Sequence, residues 1–118
     1  MFDQTPTITR EALAAMRLPA FATGEERAAV WRLIEIAKTD TNQARHVADF
    51  LLAWWNPKNC GGFDLRNLWA VDSAIADDMQ TVFGLIARVH EYPTTIDPAF
   101  DAAFRSIVRE WHPEMRTS

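Results

Sequence analysis

Apolar residues recur along this chain three and four positions apart, and prolines cut the recurrence into segments of helical length. That pattern admits helices and little else, because a half-buried strand needs apolar residues at every second position. The β-branched residues themselves sit at helical spacing, so no strand pattern survives. Thr9 caps a first helix, with Ile8 and Leu13 as its hydrophobic staple, and Pro19 stops it near Leu18. Thr23-Gly24-Glu25-Glu26 is a capping box, in which the threonine oxygen takes the Glu26 amide and the Glu26 carboxylate reaches back. The helix it opens carries Val30, Leu33, Ile34 and Ala37 on one face and ends near Lys38.

Asp40, Thr41 or Asn42 caps the next helix, whose stripe is Ala44, Val47, Ala48, Leu51, Leu52 and Trp55. Pro57 ends it by pushing the preceding residue out of the α region, and 57–62 reads as a loop. Asp64 caps a short helix, Leu65–Ala70, with Phe63 and Leu68 as its staple. Asp72 caps the longest helix, which runs to about His90 with Ile75, Met79, Val82, Phe83 and Ile86 as its stripe. Gly84 inside that helix is expected to permit a close helix crossing. Residues 91–96 are a connector. Asp97-Pro98 then opens a last helix, bearing Phe100, Ala103, Phe104, Ile107, Val108 and Trp111, and Pro113 stops it.

The expected fold is all-α: a compact single-domain helical bundle of about five helices plus one short helix. At 118 residues and 48% hydrophobic, the chain supports one core without disulfides or metal. Residues 1–22 supply the N-terminal helix and linker, 23–112 the core bundle and 113–118 a tail. Val47, Leu51, Trp55, Phe83, Ile86, Phe104 and Ile107 are expected to be buried. The first residues lack a basic and apolar leader, and no stretch reaches the ~18 apolar residues of a membrane span. With a single cysteine, the expectation is a soluble cytoplasmic protein of a reducing compartment, without membrane contact.

Few residues offer chemistry. Cys60 lies in a Gly-rich stretch, but a nucleophilic thiol needs a base, and His46, His90 or His112 would have to reach it through folding. His46 and Asp49 share a helix face and Asp77-Asp78 lie on another helix, which falls short of the three or four convergent ligands a metal needs. Gly61-Gly62 is a lone pair, with none of the spacing of a phosphate-binding loop. The sequence thus implies no catalytic residues, no metal ligands and no cofactor. The net charge of −4 lies wholly in 61–118, where Asp64, Asp72, Asp77 and Asp78 outweigh Arg66 in a mildly acidic patch. That balance disfavours direct nucleic-acid contact, which lives on phosphate neutralisation.

The five tryptophans point instead to a surface. Trp54 and Trp55 diverge by ~100° on their helix, so Trp55 joins the apolar stripe while Trp54 and Phe50 form a second aromatic face. A helix apolar on two faces is central in its bundle or offers one face to a partner. Aromatic rings and arginines are the usual anchors of protein interfaces. The candidate partner-binding residues are Trp54, Arg66 and Trp69, and a homodimer stays open.

Three runs carry a family resemblance: Arg45-His46-Val47-Ala48-Asp49-Phe50-Leu51-Leu52-Ala53-Trp54-Trp55-Asn56, Cys60-Gly61-Gly62-Phe63-Asp64-Leu65, and Val82-Phe83-Gly84-Leu85-Ile86-Ala87-Arg88. Over about residues 24–112 the chain resembles a family of small uncharacterised bacterial proteins carried on plasmids, integrative elements and prophage-like islands. The resemblance brings no catalytic residues. It implies a binding protein of a mobile element, one that regulates transfer or inhibits host defence complexes such as CRISPR effectors and restriction enzymes. The leading expectation is a non-enzymatic protein-binding module, an inhibitor or adaptor acting on a host or element protein. The alternatives are a small dimeric transcription or plasmid-maintenance regulator and an enzyme using Cys60 or the His46/Asp49 pair. The core assignment is directly testable: Leu51→Ala should cost ~2–5 kcal/mol in chemical denaturation, as a deleted core side chain does.

Overall fold

The computed structural model describes residues 21–115. Its four substantial helices are α1 (Gly24–Ala37), α2 (Asn42–Trp55), α4 (Ser73–Arg88) and α6 (Phe100–Trp111). Single helical turns α3 (Pro57–Cys60) and α5 (Pro93–Ile96) and 3-10 turns at Leu65–Ala70 and Pro113–Met115 connect and end them. No strand occurs among the described residues. The helix expected over 9–18 lies outside them.

Among the described residues, the caps predicted at Thr23, Thr41 and Asp64 form as bonds. Thr23 Oγ1 accepts from the Glu26 amide at 3.1 Å, and the Thr23 amide donates to Glu26 Oε1 at 2.9 Å. Of the three residues offered as the cap of α2, Thr41 takes the role, accepting from the Ala44 amide at 3.0 Å. Asn56 turns the proline stop into a new start: its side chain accepts from the Asn59 amide, and Pro57 fills the first helical position, where a missing N–H costs nothing. The stretch expected as loop therefore opens with a helical turn, which closes at Gly61, whose φ of 91° suits glycine. Asp72 holds the cap position of α4 without a capping bond, because its groups pair with Gln43 instead: Gln43 Oε1 takes its amide at 2.6 Å. Asp97 accepts from the Ala99 amide, and α6 begins at Phe100, slightly later than the Asp97-Pro98 signal suggests.

Helix α1 is the hub, packed against α2, α4 and α6, and its Ala29, Val30, Leu33, Ile34 and Ala37 are fully buried. The seven expected core residues divide. Val47, Leu51, Phe104 and Ile107 are fully buried, whereas Trp55 and Ile86 are half-buried. Phe83 is the correction: it is 60% exposed. The face of α4 turned to α1 runs through Ile75, Met79, Val82 and Leu85, and Phe83, a further ~100° around the helix from Val82, falls on its flank. Gly84 is corrected too: a Cβ there would meet nothing within 4 Å, so no helix among the described residues crosses at that point.

Helices α2 and α4 both lean on α1 and barely approach each other. Two ion pairs seat α4. Arg32 grips Asp78 with two bonds of 2.9 and 2.8 Å on the surface. Arg88 grips Glu26 with bonds of 2.6 and 2.8 Å, and its guanidinium also donates to the Phe21 carbonyl at 3.1 Å. Glu26 is the one buried charged residue among those described, at 6% exposure. Its bonds to Arg88 outweigh its burial and hold the carboxyl below the ordinary 4.5.

Replacing Arg88 with Met strands that carboxylate. Urea denaturation near neutral pH should show a loss of about 2–3 kcal/mol, the scale for an orphaned buried charge that keeps some solvent access. A lowered carboxyl pKa stabilises the fold above the unfolded-state value, and that stabilisation fades as pH falls through the lowered one. The gap between wild type and R88M should therefore close in acid, below the ordinary glutamate value of 4.5.

Candidate functional site

The 3-10 turn Leu65–Ala70 is held out from the bundle by its own chemistry. Asp64 caps it, accepting from the Arg66 amide at 3.0 Å, and the same carboxylate receives the Arg66 guanidinium at 3.1 and 2.7 Å. This pairing takes the Asp64 carboxyl down to about 2. Phe63 anchors the turn by packing edge-on against Phe50 of α2, with ring centroids 5.3 Å apart. Leu68 points inward, which leaves Leu65 66% and Trp69 83% exposed.

Beside this turn, between α2 and α4, lies an open apolar groove of about 320 Å³. Phe50 and Met79 line it together with Phe63, Leu65, Leu68 and Phe83, and Gln80 and Gly84 complete its wall. The exposed Phe83 is thus one wall of a groove and not a misplaced core residue. One turn further along both helices, Trp54 and Ile86 line a second, shallower cleft with Val89, His90, Glu91 and Tyr92.

The structure brings Arg66 and Trp69 onto one exposed turn. Trp54 does not join them. Its indole packs edge-on to Phe104 at 6.3 Å and donates to the Glu91 carbonyl at 3.1 Å. Sequence reasoning missed Leu65 and Phe83. The signal for Phe83 was its position beside Val82, a full step off the buried face of α4. The acidic patch is largely engaged: Asp78 pairs with Arg32, Asp64 with Arg66 and Asp72 with Gln43.

The polar candidates for chemistry lie on α2 (His46, Asp49) and in the turn that follows it (Cys60). Burial pushes the Asp49 carboxyl up, opposed by the charges of Arg45, His112 and His46. His46 does not hydrogen-bond to Asp49: its buried Nδ1 has no partner. Among the described residues no three His, Cys, Asp or Glu side chains converge as metal ligands. Cys60 is half-buried, its Sγ 3.7 Å from Met115 Sδ. Burial, aided by the negative Glu114, pushes its thiol above the ordinary 9.0, the opposite of what a nucleophile needs. Alkylation of Cys60 by iodoacetamide should accordingly be slow at neutral pH and rise only in alkali, and Cys60→Ser should leave the urea midpoint nearly unchanged. A thiol that reacts fast near neutrality would contradict this assignment.

These features define a small all-α domain with an apolar groove beside an exposed aromatic turn. The chain belongs to DUF7673, a family of unknown function, which matches residues 27–112. No curated protein and no solved structure matches it. No helix among the described residues is long and apolar enough to cross a membrane.

Proposed function

We propose that this protein is a non-enzymatic protein-binding module of a bacterial mobile element, an inhibitor or adaptor acting on a host protein complex of the anti-defence type, anti-CRISPR included. The observation that carries the reading is the exposure of Trp69, 83% open to solvent on a turn whose Leu65 and Leu68 line an apolar groove together with Phe83 of α4. An unsupported indole is a costly feature for a domain with a well-filled core nearby, and burying such a ring in a partner is how interfaces acquire their main anchors. Arg66, fixed by Asp64 beside the ring, gives an incoming partner an oriented charge for register. The mobile-element setting comes from the family resemblance in the sequence, and the overall acidity favours a protein over a nucleic acid as partner. A Cys60-based enzyme is the weaker alternative, since burial keeps that thiol protonated.

The test is capture of bacterial proteins from a lysate by tagged wild type and by Trp69→Ala, read by mass spectrometry. Among the described residues Trp69 makes no ring contact that its loss would break, so W69A should keep the wild-type urea midpoint while losing at least tenfold of the specifically captured protein. Trp54→Ala, by contrast, should cost stability through its contact with Phe104. Undiminished capture by a folded W69A would remove this surface from the function.

A further inference from the structure

We propose that the groove between α2 and α4 and the Trp54 cleft beyond it form one channel, and that its occupant is a basic amphipathic helix of the partner protein. That helix is apolar along one stripe and carries Lys or Arg at both ends of it. The channel follows from the direction of the helices. Gln43 of α2 meets Asp72 at the start of α4, Phe50 shares the groove with Met79 and Phe83, and Trp54 shares the cleft with Ile86 and His90. The two helices therefore run the same way, and both rest on α1, which the Glu26–Arg88 and Arg32–Asp78 pairs set antiparallel to α4. On the side of α4 away from those pairs, the recess extends from Met79 to His90, ~16 Å or about three helical turns.

Shape selects a helix. No strand occurs among the described residues, so an extended segment finds no sheet edge to pair with, whereas a helix satisfies its own backbone. Lying between two parallel helices, it meets Phe50 and Trp54 on one side and Phe83 and Ile86 on the other. Anchors at i, i+3 or i+4, and i+7 cover the three turns. Leu65 and the exposed indole of Trp69 flank it from the 3-10 turn.

Charge selects its ends. Asp77 is exposed one heptad before Gly84, on the same face of α4, and Glu91 lines the far end of the cleft. Neither carboxylate enters an ion pair among the described residues, and no Lys or Arg among them lines either recess. Arg66 on the adjoining turn is matched by Asp64. The channel thus carries two unmatched negative charges roughly 20 Å apart along α4, in the half of the chain that holds its whole acidic excess. A helix with Lys or Arg about four turns apart meets both. Those pairs set its register, and the apolar anchors supply its affinity. A second copy of this chain fits poorly: it brings the same acidic rim, and its four substantial helices already bury their apolar stripes in their own core.

This occupant rests on the reading of the same surface as the partner site. The probe is a displayed library of random peptides long enough for five helical turns, about 20 residues, panned on the full-length chain. Enriched peptides are then synthesised and titrated by NMR and circular dichroism. They should carry the apolar i, i+3 or i+4, i+7 stripe with Lys or Arg beyond each end, become helical on binding, and shift the amides of 63–69 and 79–90 most. Asp77→Lys with Glu91→Lys, both at exposed positions, should keep the urea midpoint and weaken these peptides at least tenfold. Peptides with Glu in place of the flanking Lys or Arg should regain that affinity on the reversed protein, and Phe83→Glu should abolish both interactions. Added NaCl should weaken wild-type binding, a readout that needs no variant. An unenriched library, peptides that bind extended or without basic ends, shifts outside the channel, or affinity indifferent to D77K/E91K overturns the inference. So does a chain that sediments as a Phe83-dependent dimer and excludes the peptides, which makes a second copy the occupant. Failure of the peptides alongside Trp69-dependent capture from lysate sinks the helix and spares the partner reading; helix binding with undiminished capture by W69A does the reverse.

Discussion

Glu26 does three jobs with one carboxylate. It closes the capping box with the Thr23 amide, it pairs with Arg88, and through that guanidinium it fixes the Phe21 carbonyl. The first turn of α1 is thereby locked to the last turn of α4, and Arg32 with Asp78 repeats the tie further along. Such a pair is weak evidence of net stabilisation, since two charges lose their water to form it. What it does supply is register: α4 cannot slide or rotate on α1 without breaking a bidentate bond. The rotation it fixes turns Met79, Val82 and Leu85 inward and leaves Phe83 on the flank. The groove is a consequence of that choice.

The far side of α1 is organised by aromatic rings. Phe100 and Phe104 of α6 are fully buried and lie 6.4 Å apart. Trp31 packs edge-on to Phe100 at 5.0 Å, and Trp54 and Trp55 both reach Phe104. The divergence of Trp54 and Trp55 on α2 thus serves a single ring, which lets one helix bury two faces. Trp111 ends the arrangement by donating to the Ala37 carbonyl at 2.7 Å, satisfying one of the acceptors that the end of α1 leaves open. Arg45 sits 5.8 Å above the same indole. Four of the five tryptophans are accounted for by packing or by a bond. Trp69 is the remainder.

The local grammar of the sequence was legible wherever one residue decides the outcome. Thr23, Thr41 and Asp64 cap where a short polar side chain precedes an apolar run, because the first amides of a helix need an acceptor. Pro57 and Pro113 were read correctly as stops, and Pro57 was missed as a start, since it needed Asn56 before it to open a turn. Positions decided by partners were harder. Val82 and Phe83 are adjacent and both apolar, so periodicity alone admits either as the buried one, and the Glu26–Arg88 tie selects Val82. The expected partner residues split for the same reason. Arg66 and Trp69 stay together because four consecutive residues of one 3-10 turn carry both, whereas Trp54 is claimed by Phe104 and by the Glu91 carbonyl, neither of which is near it in sequence.

The contrast between Trp54 and Trp69 bears on function more than either residue alone. Both are indoles next to apolar surface, and both could have been folded inward. Trp54 finds a ring and a carbonyl and is spent on the bundle. Trp69 sits on a turn whose geometry is set by Asp64 and Arg66, a salt bridge so exposed that it contributes little to global stability. That bridge and the Asp64 cap fix the start of a turn on which Leu68 packs against the core and Trp69 stands exposed. A fold under selection for stability alone would gain by relaxing it and letting the indole fall into the groove beside Phe83. Holding an apolar anchor away from an open apolar groove leaves both the ring and the groove exposed to a partner.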